Sequence, residues 1–215
     1  MKKNNLKQLR FDILNLAKKH VIYNGWNDQI TELIANEKKY KISKIIGLFP
    51  EGYKSILELY LYNADNEMVK KCNNINLIRM RTPERIKKII LLRLKINEKE
   101  KKLIKKTLFA LMLPQHSKIA ASSLYNTVNQ IWYLAGDNST DFNFYTKRII
   151  LASVYCRTVF YWVGSNKNLY KTEKYLDNQL KKVIKISNIK EKLNLTKSFL
   201  SNFFAFYKKF SGFKQ

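Results

Sequence analysis

Asp137 and Asp141, four residues apart in the stretch AGDNSTDFNFYTKR (135–148), are the nearest approach to a pair of working carboxylates in this chain. General acid–base chemistry needs positioned partners with tuned pKa values, and no His lies near them in sequence. As helix stop and helix start the two are explained without catalysis. Gly136 closes one helix, Thr140 caps the next, and Asp141 is favourable in its first turn. His20 and His116 each stand alone, and with Cys72 and Cys156 they give neither metal-ligand spacing nor a disulfide framework. No Gly-rich phosphate loop, GxSxG or CxxC occurs. The chain is therefore expected to be no enzyme, with no metal and no cofactor, and its cysteines to be reduced in a cytosolic-type compartment.

The elements that would position these residues are helical. With 46% hydrophobic residues, only six Gly and three Pro in 215, the composition is that of a helical bundle rather than a sandwich or barrel. Leu6, Leu9, Ile13, Leu16, Ala17 and Val21 recur at three- and four-residue steps, which predicts a helix over 6–23. Asn27 or Asp28 caps a second helix, ISKIIGLF makes a short third, and Pro50 opens a fourth that runs to Cys72. Thr82 caps a fifth helix whose first residue is Pro83 and which runs to about Asn97, and 98–113 forms a sixth stopped by Pro114. Residues 117–135 carry almost no charge, so that helix is central or lines a cavity. Another helix runs from 141 to 163, followed by an exposed amphipathic one. The expected division is 1–75, shaped like a helix-turn-helix part, 80–190, and a tail over 191–215.

The net charge of +25 suits a polyanionic neighbour, either nucleic acid or an anionic membrane surface. It equally suits a Lys-, Asn- and Ile-rich composition with no binding behind it, so charge alone decides nothing. The short third helix offers Lys41 and Lys44 but no Arg, Gln or Asn cluster to read base edges. The longest uncharged stretch is studded with Ser, Asn and Gln and spans no membrane. The tail differs: Phe199, Phe203, Phe206 and Phe210 share a face, with Lys197, Lys208 and Lys209 towards the other side. That pattern fits a helix lying in a membrane interface, or a last helix docked on the bundle.

Capping leaves the aromatics of the opening stretch unexplained. On a helix starting near Asp141, the residues Asp141, Phe144, Tyr145 and Arg148 lie on neighbouring faces, and aromatic plus Arg is the composition of a protein–protein hot spot. The plain alternative is a core helix whose first turn is polar.

The stretch IWYLAGDNSTDFNFYTKR (131–148), followed by LASVY and YW, resembles the signature of the Coq-nine family of ubiquinone-biosynthesis accessory proteins. GLFPEG (47–52), RTPERIK and ALMLPQH fit the same family in the same order. The resemblance implies an all-α, TetR-like fold, homodimeric, whose second half encloses a lipid-binding cavity. It implies a non-enzymatic protein that binds lipids, including isoprenoid quinone intermediates, and supports the di-iron hydroxylase of the ubiquinone pathway. Asp141, Phe144, Tyr145 and Arg148 match the patch that docks the hydroxylase, with Phe144 where animal members carry Trp. The C-terminal amphipathic helix would contact the membrane through Phe199, Phe203, Phe206 and Phe210. The chain is expected to be a bacterial form or a mature chain, cytoplasmic and peripheral at the inner membrane (the matrix side of the mitochondrial one in eukaryotic relatives). Nucleic acid is not an expected partner.

Under this reading, candidate walls for the lipid are Leu108, Leu111, Met112, Leu124, Val128, Ile131, Ile150, Val154 and Phe160, each of which could equally be plain core. The competing reading is a TetR-type DNA-binding regulator that keeps its helix-turn-helix function.

Overall fold

The computed structural model describes residues 2–38, 40–138, 142–164 and 168–190. The expected cap Thr140, the patch residue Asp141 and the tail carrying Phe199, Phe203, Phe206 and Phe210 lie outside them. Among the described residues there are nine α-helices and no strand: α1 Lys2–Asn24, α2 Gln29–Lys38, α3 Ile42–Leu48, α4 Tyr53–Cys72, α5 Thr82–Ile96, α6 Lys101–Leu111, α7 Ser117–Leu134, α8 Phe142–Val163 and α9 Leu169–Lys190. The chain divides into two compact units. Of the described residues, the first takes those through Asn74 together with Lys95–Asn126, and the second takes Ile75–Leu94 together with those from Thr127 to Lys190.

In the first unit α1 packs on α2, α4 and α6. Its apolar stripe supplies Ile13, Leu14, Leu16, Ala17 and Val21 to a core completed by Ile30, Ile34, Ile45, Phe49, Ile56 and Leu57. Leu6, the first residue of the expected stripe, is exposed. Asn27 caps α2, its Oδ1 accepting the Gln29 N–H at 3.1 Å. Trp26, buried beside Tyr60, donates its indole N–H to the Thr107 hydroxyl at 2.9 Å.

Two expected helix starts move. α4 begins at Tyr53 and not at Pro50, because Gly52 adopts φ 55 and its N–H donates to the Phe49 carbonyl at 2.9 Å. That left-handed conformation cannot continue a helix and favours a residue without Cβ. In front of α5 the cap is Arg81, whose N–H donates to Glu84 at 3.1 Å, so Thr82 and Pro83 are the first helical residues. The expected helix over 98–113 divides into a 3₁₀ turn at Glu98–Glu100 and α6, which stops at Leu111 two residues before the extended Leu113 that precedes Pro114.

The second unit buries Ile86, Ile89 and Ile90 of α5, Val128 and Ile131 of α7, Leu151, Val154, Val159 and Trp162 of α8, and Leu176 of α9. α8 packs along α9, where Tyr161 and Tyr175 stack with ring centroids 4.1 Å apart. Lys87 of α5 reaches Glu173 and Asp177 of α9, each at 2.9 Å.

Candidate functional site

The junction between α7 and α8, inside the second unit, is built on a capped helix end. Gly136 takes φ 83; its N–H donates to the Tyr133 carbonyl at 2.9 Å, and the Asp137 N–H donates to the Trp132 carbonyl at 3.0 Å. This is the six-to-one, five-to-two closure of a Schellman motif. Arg85 of α5 completes it. The guanidinium donates to the carbonyls of Ala135 at 3.0 Å, Met80 at 2.8 Å and Ile78 at 2.9 Å. A Cβ on Gly136 would stand 2.8 Å from Arg85 NH1, so the position requires glycine twice over.

Asp137 is the electrostatic anchor of the junction. Its side chain is only 4% exposed and receives Lys147 at 2.7 Å and Arg148 at 3.3 Å. Arg148 is itself buried; it donates to Asn129 Oδ1 at 2.9 Å and to the Phe144 carbonyl at 2.9 Å. Its guanidinium carbon lies 3.3 Å from the centroid of the Phe144 ring. Phe144 in turn meets Tyr145 edge to face at 5.0 Å, and Tyr145 is exposed. Trp132 donates its indole N–H to the Lys147 carbonyl at 3.1 Å. The expected patch residues Phe144, Tyr145 and Arg148 therefore meet, arranged in depth with Arg148 beneath and Tyr145 in water.

Of the candidate lipid walls, Val128, Ile131 and Val154 are buried and Ile150 is half-buried in the second unit, while Phe160 is exposed there. Leu108, Leu111, Met112 and Leu124 belong to the first unit. Leu111 packs on that unit's core, Leu108 and Leu124 are half-buried, and Met112 is exposed. Burial pushes the Cys156 thiol on α8 upward, which keeps it protonated at neutral pH. No three His, Cys, Asp or Glu side chains among the described residues stand close enough to share a metal ion.

Sequence reasoning passed over Arg85 and Asn129. Both act across the chain, and the only local signal was the place of Arg85 inside RTPERIK.

The profile of the COQ9 family matches residues 118–187, which contain the α7–α8 part of this junction but not Arg85. Over these residues the chain is similar to the COQ9 family. The rat protein named "Ubiquinone biosynthesis protein COQ9, mitochondrial" is 33% identical over 92 residues, 42% of this chain and 30% of its own length. The Drosophila melanogaster protein of the same name is 28% identical over 159 residues, 72% of this chain and 48% of its own. A Dictyostelium discoideum COQ9 relative, named a probable ubiquinone biosynthesis protein, is 26% identical over 213 residues, 92% of this chain and 66% of its own. The chain thus spans half or less of the rat and Drosophila COQ9 proteins that it matches. A solved TetR transcriptional regulator from Nitrosomonas europaea superposes with a TM-score of 0.66 over 81% of this chain and 97% of its own, at 18% identity. The fold is TetR-like and all-α.

Proposed function

We propose that this COQ9 relative is a non-enzymatic accessory protein of ubiquinone biosynthesis. It binds a long-chain lipid, an isoprenoid quinone intermediate, works as a homodimer at the membrane, and presents the lipid to the pathway's di-iron hydroxylase. The observation that carries the reading is the coincidence of the family match with the α7–α8 junction, in relatives named for ubiquinone biosynthesis. Physical support comes from α7 and α8, whose largely uncharged sequences offer the apolar surface a polyprenyl chain needs, at about 25 cal/mol per Å² buried. No helix among the described residues is long and apolar enough to cross a membrane, so membrane contact in this reading is peripheral and runs through the tail phenylalanines Phe199, Phe203, Phe206 and Phe210. The exposed Tyr145, seated on Phe144 and Arg148, is the hydroxylase contact.

Native mass spectrometry of the protein from its own host tests this directly. A dimer carrying a quinone or other lipid is expected. Protein that carries no lipid, and takes up no labelled isoprenoid after delipidation, removes the lipid-binding claim.

A second reading, a TetR-type regulator, has the fold likeness in its favour. It predicts a sequence-preferring gel shift that weakens with salt. The outward face of α3 holds Ile42, Ser43, Lys44 and Ile46, which supply little base-edge chemistry.

A further inference from the structure

The first unit carries an apolar and basic corner, and Met112, expected as a wall for the lipid, stands exposed on it. α6 turns Leu103, Thr107 and Ala110 inward, and the Trp26–Thr107 hydrogen bond fixes that face in the core. At 100° per residue the opposite arc of α6 holds Lys102, Lys105, Lys106 and Phe109, and Met112 and Leu113 follow its end; all six are exposed. Phe109 is 59% exposed, Met112 65% and Leu113 45%.

The corner below them is anchored. Leu113 is extended ahead of Pro114, with its N–H donating to the Ala110 carbonyl at 3.0 Å. His116 is fully buried, its Nδ1 2.7 Å from the same carbonyl and its Nε2 3.0 Å from the Tyr53 hydroxyl. A carbonyl can only accept, so Nδ1 carries a proton and donates to Ala110. Three large apolar side chains are thus held out into water by a scaffold fixed beneath them. No Asp or Glu occurs from Lys101 to Gly136, and Lys118 at the start of α7 adds another exposed cation. The nearest acid in sequence, Glu100, lies just before the other end of α6 and is engaged by Lys18 at 2.8 Å.

We propose that this corner is a second membrane contact. Phe109, Met112 and Leu113 enter the headgroup–acyl boundary of an anionic lipid surface, while Lys102, Lys105, Lys106 and Lys118 lie against its phosphates. Charge selects the occupant: a second copy on the same face would set lysines against lysines, whereas anionic lipid neutralises them. The inference rests on the membrane side of the proposed function and adds a site independent of the tail.

The test is flotation of the full chain with vesicles of phosphatidylcholine alone or mixed with phosphatidylserine. Phe109→Ser/Met112→Ser should bind the mixed vesicles on the order of tenfold less, with unchanged helical circular dichroism and melting because both residues are exposed. Lys105→Gln/Lys106→Gln should lose binding several-fold, and only on the mixed vesicles. Wild-type binding by both variants overturns the proposal. So does a Phe109→Ser/Met112→Ser protein that falls from dimer to monomer in light scattering with vesicle binding intact, since the corner then belongs to a second copy. A tail variant, Phe203→Ser/Phe206→Ser, separates the two ideas: if it binds normally while the α6 variants fail, the tail reading is lost and the corner stands.

Discussion

The guanidinium of Arg148 points into the protein, and this separates two kinds of residue within the signature patch. Removing it takes one of the two cations paired with the Asp137 carboxylate, which is 4% exposed and also receives Lys147. Arg148→Ala should therefore cost about 2–4 kcal/mol in urea unfolding, and any loss of partner binding in that variant is confounded by folding. Tyr145→Ala is the clean probe. It should change stability by less than about 0.5 kcal/mol, and a pull-down of the hydroxylase should fall if the proposed docking is right. Gly136→Ala combines a left-handed backbone penalty with a Cβ 2.8 Å from Arg85, so a loss of about 2 kcal/mol or more is expected. Arg85→Ala introduced on top should cost less than it does alone, because the first change has already displaced the guanidinium. Strict additivity in that double-mutant cycle would show that the two residues do not act as one cap.

Among the elements, the contact of α5 with α9 has a pH dependence of definite sign. Burial alone would lower the pKa of Lys87, but hydrogen bonds and charge from Asp177 and Glu173 outweigh it and raise the value in the folded protein. A group raised on folding contributes fully below its unfolded pKa and loses that contribution as pH climbs through the folded one. Lys87→Met should lower stability by no more than about 1 kcal/mol at neutral pH, since the pair is partly exposed, and by less in high salt. Above the folded pKa, variant and wild type should unfold alike. A difference that grows with alkalinity contradicts the assignment. How the helices were legible follows the same physics. Periodic apolar residues located helices such as α1 and α7 because burial imposes a local repeat, capping residues and prolines located others, and Gly136 announced a stop because φ 83 is a local demand. The start of α4 was misplaced because Pro50 fits a first turn equally well, while Gly52 decides. Arg85 on Ala135 and Arg148 on Asn129 left no periodic trace, since pairings 50 and 19 residues apart carry no local spacing.

At the scale of the molecule, the excess of 41 basic over 16 acidic residues can serve any polyanion, so what distinguishes membrane from nucleic acid is whether apolar burial accompanies the charge. Binding to DNA without base readers rests on phosphate contacts and falls by orders of magnitude, about 10³ or more for a protein making several contacts, as salt rises from low to moderate. Binding to a membrane adds the transfer of side chains such as Phe109 and Met112 out of water, which salt does not screen. The full chain titrated against double-stranded DNA and against phosphatidylserine-containing vesicles over the same salt series should therefore give two different curves. The DNA curve should fall to nothing. The vesicle curve should fall to a plateau, and that plateau should shrink in Phe109→Ser/Met112→Ser and, under the tail reading, in Phe203→Ser/Phe206→Ser. Two curves of equal steepness, both reaching zero, would mean that the lysines attract polyanions indiscriminately and that no apolar face enters lipid.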